Sequence, residues 1–143
     1  MVGVSLKAIK SNPQKRIKTP NGDVLHVLKK SDEDFIRFGE IYFSWIEKGS
    51  IKAWKKHNSM TMNLVVPCGK VKFVFFDENS HTYRKEEIGE DNYTRLTIPP
   101  GLWFGFKDMT NDKSLITNIA DIEHDKNEVH RLDINEIKYD WSN

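Results

Sequence analysis

The chain predicts an all-β protein, a barrel or sandwich folded as one domain over residues 1–143. Three observations carry this. Short runs rich in β-branched and aromatic residues alternate with turn clusters every ~8–12 residues. Helical periodicity is poor throughout. The length of 143 residues, 38% of them apolar and including 8 Phe, 4 Trp and 4 Tyr, suits a single hydrophobic core.

The elements follow in order. A strand over 24–28 follows the turn Thr19-Pro-Asn-Gly22, and a strand over 40–46 follows Phe38-Gly39. A strand over 51–57 follows Lys48-Gly-Ser50. The run 62–66 leads into Pro67-Cys-Gly69, and 71–76 resumes after that turn. A strand over 94–98 ends at Pro99-Pro-Gly101, and strands over 102–107 and 115–121 flank the polar loop 109–114. The only helical candidate is a short turn over 31–35 with Ser31 as its cap. The segment after Asp121 is charged, but Tyr139 and Trp141 close to its end predict that it packs back on the barrel.

Composition narrows the function classes. Lys and Arg number 22 against 21 Asp and Glu, so the chain lacks the basic excess of a non-specific nucleic-acid binder. The locally basic group Lys7, Lys10, Lys15, Arg16 and Lys18 reads as a solvated face. A lone cysteine, Cys68, leaves no internal disulfide, suits a reducing compartment and reads as a small buried residue. No apolar run approaches the roughly 18 residues of a membrane helix, and the first residues lack a signal-peptide layout. The expectation is a cytoplasmic protein.

Alternation in 51–57 locates a candidate site. Ile51, Ala53, Lys55 and His57 fall on one face of an ideal strand, with Lys52, Trp54 and Lys56 on the other. Lys55 and His57 therefore point the same way, and a cation beside an imidazole favours its neutral form. A neutral imidazole is a competent general base near pH 7. On strand 40–46, Ile41, Phe43 and Trp45 share one face and Tyr42 and Ile46 add apolar area to the other, which predicts pairing with a second copy.

Four segments carry a family resemblance. Gly49-Ser-Ile-Lys-Ala-Trp-Lys55-Lys-His57-Asn-Ser-Met-Thr-Met62 and the glycine at 69 resemble the first motif of the cupins, with Lys55, His57 and Met62 at its three ligand positions. Ile98-Pro-Pro-Gly-Leu-Trp-Phe-Gly-Phe106 resembles the Ile-Pro-Pro-Gly-Phe-Ala-His-Gly-Phe segment of the nucleotide-sugar cupins, and is the most specific of the four. Pro20-Asn-Gly-Asp-Val-Leu25 and Phe38-Gly39-Glu40-Ile41-Tyr42 resemble their flanking turn and strand. The chain is thus similar, from residue 20 to 141, to the dTDP-4-dehydrorhamnose 3,5-epimerases and the dTDP-sugar 3,4-ketoisomerases. The resemblance implies a cupin-type jelly-roll barrel of about 9–11 strands, a homodimer, and an epimerase or ketoisomerase acting on a 4-keto nucleotide-linked deoxysugar in surface-polysaccharide biosynthesis.

The departures shape the site. Three of the four metal positions lack a ligand-type side chain, so no metal and no cofactor is expected. The epimerase base lines up with Lys55, the ketoisomerase base with His57, and His57 is the better candidate. Lys55 is then a candidate acid or enolate-stabilising cation, Lys52 replaces the epimerase Arg, and Thr117 lines up with the epimerase acid Tyr. Tyr42 is a second candidate acid, and Asp121 is the candidate to orient His57. For the nucleotide, Trp54, Trp103, Tyr42 and Phe38 are candidate stacking partners, and Arg37, Lys72 and Arg95 candidate phosphate partners. The alternative is a cupin that binds a sugar nucleotide, or serves as a partner subunit, without catalysis.

Overall fold

The computed structural model of the protein describes residues 3–142. Among them are twelve strands: β1 Lys10–Pro13, β2 Arg16–Ile17, β3 Val24–Leu25, β4 Glu40–Ile46, β5 Ile51–His57, β6 Met62–Cys68, β7 Lys70–Asp77, β8 Thr82–Gly89, β9 Thr94–Ile98, β10 Trp103–Asp108, β11 Ser114–Ala120 and β12 Val129–Arg131. Two five-stranded antiparallel sheets, ordered β1-β9-β6-β11-β4 and β12-β5-β10-β7-β8, form the jelly roll, with β2 and β3 as a separate ribbon. Among the described residues, no helix is long and apolar enough to cross a membrane.

The main core lies between the sheets. Met62, Leu64 and Val66 of β6, Leu96 and Ile98 of β9 and Ile116 of β11 meet Val71, Phe73 and Phe75 of β7 and Phe104 of β10. The period-2 pattern of each strand puts these on one face. Strand β7 is apolar on its other face as well. There Val74 and Phe76 join Trp54, Trp103, Ile137 and Trp141 in a second cluster under the C-terminal segment. Cover on both faces is why β7 reads as an unbroken apolar run.

A bulge in β5 resets its faces. Phe104 opposes Lys55 and Gly105 opposes Ala53, so Trp54 has no partner on β10. Its N–H and C=O instead bond Leu132 at 3.0 and 3.1 Å. Lys52 now lies opposite Phe106, a residue packed on the inner core, while Ile51 and Ala53 pack on the outer cluster. The ideal alternation predicted Lys52 and Lys55 on opposite faces; the extra residue puts both on the inner face with His57.

Other expectations are corrected at the edges. The segment 24–28 forms only the two-residue β3, and β8 was not foreseen. Its charged, half-exposed alternation lacks an apolar face to betray it, and it forms by pairing along β7. No helix forms over 31–35; Asp32, not Ser31, organises that turn by accepting from the Lys29 N–H at 2.8 Å. Three short 3-10 turns lie elsewhere, at Leu6–Ala8, Lys126–Glu128 and Ile134–Glu136. Cys68, predicted to be buried, is exposed at the end of β6.

The last residues anchor the C-terminal segment. The Trp141 ring sits 5.4 Å from that of Trp54 and 5.0 Å from that of Tyr139. A Cβ added at Gly105 would stand 3.1 Å from the Trp141 ring, so a glycine there lets the indole lie flush on β10. Trp141→Ala should cost about 3 kcal/mol in chemical denaturation. A loss below about 1 kcal/mol would mean that the segment is held by something other than this indole.

Candidate active site

The site forms at one mouth of the barrel, where the edge of β4 faces β5. Tyr42 and Ser44 of β4, Lys55 of β5, Phe104 and Phe106 of β10 and Asn118 of β11 line a small inner cavity of about 70 Å³. A larger groove of about 640 Å³ adjoins it and shares Lys55, Phe104 and Phe106.

His57 is 3% exposed and ends β5. Its ring stacks on Phe104, with centroids 5.9 Å apart. The Pro99-Pro100-Gly101 turn holds its backbone: the Gly101 N–H donates to the His57 carbonyl at 2.8 Å, and Gly101 takes a φ of 97° that favours glycine. The imidazole Nδ1 bonds the carboxylate of Glu128, which lies in the 3-10 turn just before β12. The other Glu128 oxygen accepts from the N–H groups of Ser59 and Met60 at 2.9 and 3.2 Å. Burial pushes the Glu128 carboxyl up, but these bonds and His57 outweigh it and hold the group below its ordinary value. An ionised Glu128 takes the Nδ1 proton as its hydrogen bond, which leaves Nε2 with the lone pair. That Nε2 is buried and has no partner among the described residues.

The charges around His57 keep it neutral. Burial lowers its pKa most, Glu128 raises it, Lys55 lowers it again, and the net direction is down. Lys55 is half-buried and its own pKa is lowered, by burial first and then by Arg131. The Tyr42 hydroxyl accepts from Asn118 Nδ2 at 2.9 Å, which leaves its proton free to donate, and burial raises its pKa. The Asn118 carbonyl oxygen is buried without a partner among the described residues.

The predicted site residues divide. Tyr42 lines the inner cavity, Lys52 the groove and Lys55 both, while His57 lines neither and stacks on Phe104, which lines both. Asp121 does not orient His57. Its carboxylate accepts from the Thr61 N–H at 2.8 Å, tying the start of β6 to the end of β11, and Glu128 takes the place at the imidazole. Thr117 faces out of the barrel beside Val65; its neighbours Ile116 and Asn118 are the β11 residues at the cavity.

The nucleotide candidates mostly belong to the framework. Trp54 is buried under the C-terminal segment and donates from Nε1 to the Ile134 carbonyl at 3.2 Å. Trp103 donates to Glu78 at 2.9 Å and carries the Lys56 ammonium over its ring. Lys72 is buried with its ammonium over the Tyr139 and Trp141 rings at 5.7 and 5.9 Å. Arg95 is buried on the outer face of the other sheet, donating to Val27 O, Asn63 Oδ1 and Thr97 Oγ1 at 2.7–2.8 Å. Arg37 and Phe38 are exposed on the loop before β4. Sequence reasoning missed Glu128, Asn118 and Arg131. Glu128 lies 71 residues from His57, in a charged stretch without a motif. Among the described residues, no group of three or more His, Cys, Asp and Glu side chains is placed to hold a metal ion.

Neutralising Glu128 tests the pair. In Glu128→Gln the His57 ring loses the partner that raises its pKa, so its NMR titration should move further below the ordinary histidine value. An unchanged midpoint would mean that the two groups are not coupled.

Known proteins resemble this chain in sequence and in fold. The chain is 30% identical over 111 residues to a probable low-salt glycan biosynthesis epimerase of Haloferax volcanii, covering 71% of each chain. It superposes on a dTDP-sugar isomerase of Desulfovibrio desulfuricans G20 with a TM-score of 0.89 and 33% identity, covering 95% of this chain and 92% of the other. It shares its fold with the sugar 3,4-ketoisomerase QdtA of Thermoanaerobacterium thermosaccharolyticum, solved in complex with TDP, at a TM-score of 0.76 and 20% identity, covering 93% and 96%. No family model matches the chain.

Proposed function

Because the chain belongs to the family of nucleotide-sugar epimerases and isomerases, we propose that it removes and returns a proton on a carbon beside the keto group of a 4-keto nucleotide-linked deoxysugar, as a step in surface-polysaccharide synthesis. The observation that carries this reading is the His57–Glu128 pair, with Nε2 unpartnered among the described residues and the charge of Lys55 opposing a proton on the ring. His57 Nε2 takes the ring-carbon proton, and the electron pair of the broken C–H bond moves onto the keto oxygen as an enolate. Lys55 stabilises that oxyanion in a partly dehydrated cavity, where a cation acts more strongly than in water. Tyr42 is the second proton donor. Its return of a proton from the opposite face inverts the carbon; to move the keto group, His57 returns the proton to the former carbonyl carbon while the hydroxyl on the deprotonated carbon passes its own proton to the enolate oxygen and becomes the new carbonyl. The chemistry asks for a base, an acid and an oxyanion partner, and these side chains can supply all three. Cys68, free and exposed, suits a reducing compartment, and we read the enzyme as cytoplasmic.

A binding module without catalysis is the competing reading, favoured by Lys55 and Phe104 at positions where related enzymes carry His. Proton exchange separates the two. With 4-keto nucleotide sugars in deuterium oxide, the enzyme should exchange the proton at C3, C5 or both, followed by NMR. Losing a positioned base costs ~10²–10⁴ in rate, so His57→Asn should exchange that much more slowly. The rate should also fall as pH drops through a value below 6.5, where His57 gains its proton, because its folded-state pKa is lowered. Near wild-type exchange in His57→Asn, with loss in Lys55→Met, would transfer the role of base to Lys55. No exchange with any keto-sugar would leave the binding module.

The reading includes a homodimer. Ile41, Phe43 and Trp45 project outward from β4, an edge strand, and Ile36 and Phe38 extend the patch; Phe43 and Phe38 are 65% and 63% exposed. An apolar row along an open edge calls for a partner, and a second copy presents the same row across a two-fold axis. Light scattering should give about twice the 16.7 kDa chain mass, and Phe43→Asp should give the monomer. A wild-type mass of one chain at micromolar concentration would remove the dimer.

A further inference from the structure

Asn118 stands on β11 between β4 and β6, directly opposite Tyr42 on one side and Leu64 on the other. Its side chain is buried, 2% exposed, and lines the inner cavity. The amide is used at one end only. Nδ2 donates to the Tyr42 hydroxyl at 2.9 Å and reaches the Met60 sulfur at 3.7 Å, so both of its protons have an acceptor. Oδ1 is buried and has no partner among the described residues. Met60 fixes which way the amide faces. A thioether only accepts, so turning the amide over would set oxygen against sulfur and strip Nδ2 of this contact.

A buried carbonyl oxygen without a donor is uncommon and unfavourable, and a ligand that brings the donor relieves it. The apolar lining of the cavity, including Phe73, Phe104, Phe106 and Ile116, has no donor to give. A keto oxygen only accepts, so it goes to the donors of the cavity, Tyr42 and Lys55. Oδ1 calls for the opposite group, an O–H. We infer that Asn118 is a specificity-determining residue whose Oδ1 accepts the sugar hydroxyl on the ring carbon beside the keto group. The inference rests on the nucleotide-sugar reading above. Oδ1 and Nδ2 share one carbon and Nδ2 holds the Tyr42 phenol, so a hydroxyl on Oδ1 lies next to the group that returns the proton. Of the two carbons flanking the keto group of a 4-keto-6-deoxyhexose, C5 carries the ring oxygen and the methyl, and C3 carries the hydroxyl. A sugar without that hydroxyl leaves the buried oxygen unpaired, and sites built this way reject the analogue that lacks the group. Ser44, on the same face of β4 as Tyr42, is the other uncharged polar side chain at the cavity and serves as the control.

Calorimetric titration with dTDP-4-keto-6-deoxyglucose and its 3-deoxy counterpart tests this, in a His57→Asn background that slows turnover of the ligand. The background protein should bind the 3-hydroxy sugar about 10- to 100-fold more tightly, the range of a buried acceptor left unpaired. Adding Asn118→Leu should bring that ratio below about threefold by weakening the 3-hydroxy sugar, while Ser44→Ala leaves it within about twofold of its starting value. Asn118→Ala adds no atom to the site, should act in the same way, and takes over if Asn118→Leu fails to melt cooperatively. A ratio below about twofold before any change at Asn118, or one that survives the substitution there, overturns this inference alone. Failure to bind either sugar at millimolar concentration, together with a wild-type protein that exchanges no proton on them, overturns it along with the nucleotide-sugar reading.

Discussion

Trp54 is the residue that β5 inserts between Ala53 and Lys55 without a partner on β10, and the site is organised around that break in the ladder. Its backbone pairs with Leu132 and its indole sits under Trp141. These two contacts seat the C-terminal segment on the outer face of the sheet. The same extra residue turns Lys52, Lys55 and His57 to the inner face. One local insertion therefore does two things. It aims three basic side chains at the barrel mouth, and it brings in the segment that carries Glu128 and Arg131. The bulge would be costly in a bare strand, because it breaks two ladder bonds. Here Leu132 replaces them.

The electrostatics of the mouth follow from that arrangement. Burial and Lys55 both oppose a proton on His57, while Glu128 favours one, and the net direction is down. A base that is neutral when free and stabilised by a carboxylate once protonated suits reversible proton abstraction. Glu128 also accepts from two backbone N–H groups, so its position does not depend on His57. The arrangement follows the physical logic of a carboxylate–imidazole dyad, although the carboxylate comes from a different part of the chain than sequence reading proposed.

Much of the framework was legible. The turn clusters, the β-branched runs and the Pro-Pro-Gly segment marked most strands of both sheets, because side-chain alternation on a pleated sheet is a local property. Strand β8 was not marked, since its solvent face and half-exposed inner edge are both polar. Trp54, Trp103 and Lys72 are only candidate ligand contacts in the sequence, because an aromatic or basic residue on a barrel strand looks alike whichever face it lies on. Only the cover of the C-terminal segment makes them part of a second core.

Residue order alone determined the all-β class, the two-sheet barrel and the placement of Lys55 and His57 on one face, since each depends on spacing within a few residues. It also marked the exposed apolar row of β4. Tertiary structure decided which carboxylate meets His57, that Asn118 rather than Thr117 faces the cavity, and that Arg131 stands opposite Lys55. Those facts depend on strand register and on a bulge. A shift of one residue reverses every side chain that follows it, and no local pattern in the chain announces where the shift falls.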